Sequence, residues 1–111
     1  MKSREYAFAK RALKLLDAVG KTDWGVRVVA EIPEPPSRET CRDCGSQAKT
    51  LGLCWPKGKI LFLSSAQMRD DARTRETIYH EVAHAMTPGD AHGLAFEAAL
   101  ARVRKLDASD E

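Results

Sequence analysis

The segment Thr77–Phe96, TIYHEVAHAMTPGDAHGLAF, decides how the rest of this chain is to be read. It carries His80, Glu81 and His84 in the spacing HExxH, and the three histidines of the chain, His80, His84 and His92, all fall within it. From about Asp70 the apolar residues recur at helical spacing, with Ile78, Val82, Ala85 and Met86 on one face, until Thr87-Pro88-Gly89 breaks the pattern. HExxH is therefore expected on a helix. Four residues along a helix advance about 400°, which leaves His80 and His84 about 40° apart in direction and about 6 Å apart along the axis, so two imidazoles can meet one ion. The apolar face lies roughly opposite them, so the helix is expected to anchor in the core while the imidazoles face a cleft, with Glu81 between the two faces.

Helical histidines are often satisfied core or surface side chains, and HExxH also arises by chance. Two features favour a metal site here: the helical period is visible independently of the motif, and a third histidine follows the helix break at a plausible return distance. Three protein ligands leave zinc an open position for water, the arrangement of catalytic rather than structural sites. Glu81, within reach of such a water without being a ligand, is then the expected general base. Cys54 as a fourth ligand would close the site and leave Glu81 no water to activate.

Working outward, residues 3–19 read as an amphipathic helix, with Phe8, Ala9, Ala12, Leu13, Leu15, Leu16 and Val19 on one side and Gly20 as its stop. WGVRVVAEI, residues 24–32, is β-branched, ends at Pro33 and reads as a strand. Residues 33–50 hold three prolines and a CxxC but almost no large apolar residue, so a surface loop is expected. LGLCW and KILFLSS flank a PKG turn and are expected to pair as a hairpin, with KILFLSS as a sheet edge bordering the cleft. After the break at residues 87–89, Asp90 can cap a last helix running to about Leu106 and burying Phe96, Ala99, Leu100 and Val103. Trp24 and Trp55 begin and end strand-like segments and are expected to pack rather than to bind substrate. The order is that of an α+β fold: an N-terminal helix, a three-stranded sheet, the HExxH helix and a C-terminal helix, in one domain over residues 1–111.

The motif in ETIYHEVAHAM followed by GDAHGLAF resembles the SprT-like zinc metallopeptidases, a group of small zincins. The likeness covers roughly residues 51–100, and KILFLSS resembles the strand that runs past the active site in that family. It implies a zincin-like domain with His80, His84 and His92 as zinc ligands, Glu81 as general base and peptide-bond hydrolysis by zinc-activated water. In some relatives the substrate is protein crosslinked to DNA. This chain departs from many relatives in carrying its CxxC upstream of the motif and in a short connection between the second and third histidines. The metzincin pattern fits less well, because Thr87 and Asp90 stand where it has a glycine and its third histidine.

Composition sets wider bounds. With 111 residues, 43% apolar and 31% charged, the chain has the balance of a globular protein. No apolar run approaches a membrane span, and no signal peptide is recognisable, so a cytoplasmic protein is expected. Residues 1–30 carry seven Lys or Arg against three acids, a mildly basic region for which nucleic-acid contact is the alternative to a solvated helix face. The expected partner is a protein or peptide substrate. Three cysteines fit reduced thiols or metal ligands better than disulfides, and Cys41, Cys44 and Cys54 are the candidates for a second zinc, although a ribbon needs four ligands. Tyr6, Tyr79 and Arg102 are candidate oxyanion stabilisers. Two other readings stand beside the peptidase: an inactive zincin-fold binding or regulatory module, and a non-peptidase zinc hydrolase.

The third ligand has two candidates, His92 and Glu97. If the last helix includes residue 92, His92 lies within about 50° of the stripe Phe96, Ala99 and Val103, whereas Glu97 lies beside Arg104 on the outward side. His92→Ala is therefore expected to weaken zinc binding and abolish activity, and Glu97→Ala to change neither much. Zinc titration of the two variants checks the assignment, and the opposite ranking would move the ligand to Glu97.

Overall fold

The computed structural model describes residues 3–30, 32, 52–55, 58–68, 70–88 and 93–109. Its helices are α1 (Ser3–Ala18), α2 (Asp71–Met86) and α3 (Leu94–Ser109), and its strands β1 (Gly25–Val29), β2 (Gly52–Trp55) and β3 (Ile60–Ser64). The fold is α+β, as the element order implied. Cys41, Cys44, His92, Asp90 and the expected loop over residues 33–50 lie outside the described residues.

The helix ends follow local chemistry. Beyond α1 the Gly20 N–H donates to the Asp17 carbonyl (3.1 Å) and the Lys21 N–H to the Leu16 carbonyl (2.8 Å), a Schellman closure. It requires a left-handed residue, and Gly20 supplies φ +84°. At the start of α2 the Asp70 carboxylate accepts from the Arg73 N–H at 3.2 Å, capping one of the orphan amides. At α3 the Gly93 carbonyl accepts the Glu97 N–H at 3.0 Å. Its buried stripe is Phe96, Ala99, Leu100 and Val103, as the helical period predicts.

The sheet has the order β1-β3-β2, with β1 parallel and β2 antiparallel to β3. LGLCW and KILFLSS do pair as a hairpin, in the register Cys54 opposite Leu61 and Gly52 opposite Leu63. The expectation that KILFLSS forms the sheet edge is overturned: β3 is the central strand, and the antiparallel edge is β2. The physical reason lies in β3's own composition. Leu61 and Leu63 are 0% and 1% exposed, and a strand this apolar is best covered where neighbours on both sides satisfy its backbone. The edge positions fall to β2, which holds Gly52, and to β1, which exposes Arg27.

The three helices enclose a common core with the sheet. Phe8, Ala12, Leu15 and Leu16 of α1 meet Trp24, Leu61, Leu63, Ile78, Val82 and Val103 in one cluster. Trp24 packs there, as expected. Helix α1 lies on β1 and α2, while α2 lies on β2 and α3. A polar junction ties the helices together: the buried Asp107 of α3 accepts from Arg11 Nη1 of α1 at 2.6 Å and from the Tyr79 hydroxyl of α2.

Leu61→Ala is expected to lower the unfolding free energy by about 2–5 kcal/mol through lost transfer energy and an uncollapsed cavity, whereas Arg27→Ala on the exposed edge should change it by less than about 0.5 kcal/mol. Urea denaturation of both variants checks the difference.

Candidate metal centre

Helix α2 carries the three motif residues. Its buried positions are Thr74, Ile78, Glu81, Val82, Ala83, His84 and Ala85, which is wider than the single apolar face that periodicity marks out. His84 is buried at 6% exposure, and His80 is half-buried. The cause is α3. Its Phe96 ring, itself 1% exposed, lies with its centroid 4.9 Å from that of His80 and 4.5 Å from that of His84, walling in both imidazoles.

The His80 and His84 rings have centroids 4.9 Å apart with planes at 74°. Two imidazoles bound to one tetrahedral zinc at about 2.1 Å would have centroids about 3.2 Å from the ion and about 5.3 Å from each other. The pair is thus close to the separation a shared ion requires. Phe96 limits rotation of both rings, the kind of apolar shell that controls solvent access to a metal.

Glu81, between the apolar face and the imidazoles on the helix, is 2% exposed and packed under β2. The Cys54 backbone N–H donates to its carboxylate, while Oε1 is enclosed without a hydrogen-bond partner. Burial raises its pKa from near 4.5 to about 8, and the single backbone donor opposes this only partly.

The other sequence candidates divide. Glu97 is exposed on α3, on the outward side that periodicity assigned to it. Tyr79 is directed to the Asp107 junction, where burial first and the Asp107 bond and charge second raise its pKa to about 12. That commitment argues against Tyr79 as an oxyanion donor. Tyr6 is 60% exposed on α1, and Arg102 is exposed on α3. Cys54 is 2% exposed and forms no disulfide. Among the described residues no group of three His, Cys, Asp or Glu side chains gathers around one point; of the expected ligands, His80 and His84 are described and His92 lies outside the described residues.

Two participants escaped sequence reading. Phe96 was legible as a core residue but not as the wall of the histidine pair. Gly52 was passed over, although a glycine inside a strand signals close backbone approach. A Cβ on Gly52 would lie 2.7 Å from Thr77 Cγ2 and 3.0 Å from Glu81 Cγ. Compared with known proteins, the chain matches no family model, no curated protein and no solved structure.

Burial of Glu81 has a measurable consequence in metal-free protein. Its folded pKa of about 8 lies above the unfolded value near 4.5, so the folded state binds the extra proton between them. That contribution to stability is full below about pH 4.5 and is lost as pH rises through about 8. Thermal denaturation of the metal-free protein should show Tm falling between pH 5 and 8, and Glu81→Gln should flatten that slope; an equal slope in the variant would show that another group sets it.

Proposed function

We propose that this protein is a zinc-dependent metallopeptidase of the small zincin type, resembling the SprT-like group, acting on a protein or peptide substrate. The observation that carries the reading is the pair of imidazoles on one helix at 4.9 Å between centroids, adjacent in sequence to a buried carboxyl with an unpartnered oxygen. The second feature is costly for a merely structural helix, because a buried carboxyl without full hydrogen bonding destabilises the fold.

His80 and His84 would hold the ion, with His92 the third ligand that the sequence motif supplies. When bound, zinc supplies Lewis acidity, polarising a carbonyl and acidifying water. Glu81 would take a proton from the attacking water and return it to the leaving amine, as a carboxylate can accept and release the same proton. Phe96 keeps bulk water off the histidine rings.

Protein purified without chelator is expected to contain one zinc per chain and to cleave denatured protein substrates. Glu81→Gln should keep the zinc and the fold while activity falls by about 10²–10⁴ or more, since an amide cannot accept the proton. Absence of stoichiometric zinc would sink the metallopeptidase reading. Zinc without any cleavage, equal in wild type and Glu81→Gln, would point instead to a zinc-holding binding module, and turnover of small amides alone to a non-peptidase hydrolase.

A further inference from the structure

The Lys59 carbonyl accepts the Gly25 N–H of β1 at 2.9 Å, which fixes the parity of the central strand. Peptide groups alternate in direction along a strand, so Leu61 and Leu63 turn theirs toward β1, and Ile60 and Phe62 turn theirs toward β2. Their register partners Trp55 and Leu53 complete that ladder. The peptide groups of Gly52 and Cys54 consequently point away from β3. The Cys54 N–H is the one that reaches the Glu81 carboxylate. Gly52, two residues earlier on the same face, is where β2 comes closest to α2, with room for no Cβ beside Thr77 Cγ2 and the Glu81 stem.

We propose that edge strand β2 positions Glu81: the outward N–H of Cys54 holds one carboxylate oxygen, and the missing side chain of Gly52 gives the Glu81 stem its place. Gly52 and Cys54 are positioning residues acting through Glu81. The catalytic half of this assignment rests on the metallopeptidase reading; the clamp itself does not. Two features support a dedicated arrangement. The contact lies at a sheet edge, where an outward N–H would ordinarily meet water, and the carboxylate it holds is almost fully buried. A single donor also leaves the other oxygen unpartnered, whereas a purely structural buried carboxylate is expected to have both oxygens bonded.

Amide hydrogen exchange read by NMR tests the clamp without any activity assay. The Cys54 N–H should be protected in the wild type, keep its protection in Glu81→Gln, whose side-chain carbonyl still accepts, and lose about tenfold or more in Glu81→Ala while Leu61 is unchanged. Gly52→Ala should reduce Cys54 protection similarly. Thr77→Ser removes the Cγ2 that the new methyl meets but keeps the hydroxyl bond to the Arg73 carbonyl, so it serves as control and as partner. In Gly52→Ala/Thr77→Ser, thermal stability should return toward wild type while Cys54 protection does not. Turnover in that double variant should stay at least about tenfold down in kcat, with KM and zinc content unchanged. An unprotected Cys54 amide in the wild type, protection indifferent to Glu81→Ala, or a double variant that regains protection and kcat would overturn the proposal. A wild type lacking zinc and cleavage would instead fail the metallopeptidase reading, and the exchange data would still decide the clamp.

Discussion

A carboxyl with 2% of its surface exposed has to be accommodated by whatever packs against it, and for Glu81 that is the backbone of β2. The strand approaches α2 closely enough that position 52 tolerates no side chain. This contact fixes the rotation of α2 about its axis, because Glu81 must point at Cys54 while Ile78 and Val82, both 0% exposed, point into the core. His80 and His84 then have one direction left, toward α3. Seating one residue therefore sets where the other two go.

Helix α3 completes the arrangement from the other side. Phe96 meets both imidazoles, and Ala83, Ala99 and Leu100 form a small cluster with it that is distinct from the main core. The Asp107 junction is at the far end of α3, where it binds Arg11 and Tyr79. Tyr79 precedes His80 in sequence, and both face α3, but its hydroxyl meets Asp107 at the opposite end of α3 from Phe96, so the polar junction and the histidine pair are separated along α3.

Much of the fold was legible in advance. Gly20 as a stop, the LGLCW–KILFLSS hairpin and the buried stripe of α3 all follow from preferences that act between residues close in sequence. The i, i+4 relation of the histidines is of the same kind, since a helix brings them together whatever surrounds it. The order of the strands is not. A parallel β1–β3 pair joins segments about thirty residues apart, and nothing within KILFLSS states whether it will have one neighbour or two.

What the sequence by itself determined, then, is the set of elements and the two imidazoles on one helical face, while the last helix, expected from an Asp90 cap to about Leu106, spans Leu94–Ser109. Tertiary structure alone decided that β3 is central, that Glu81 lies under β2, and that Phe96 walls the histidines. The physical reason is range. Helix period, caps and tight turns depend on torsions and hydrogen bonds within a few residues, so they can be read along the chain. Burial depends on what else arrives at a surface: a wheel shows which way Glu81 points, but only the approach of a strand whose Gly52 offers no side chain makes that direction an interior one.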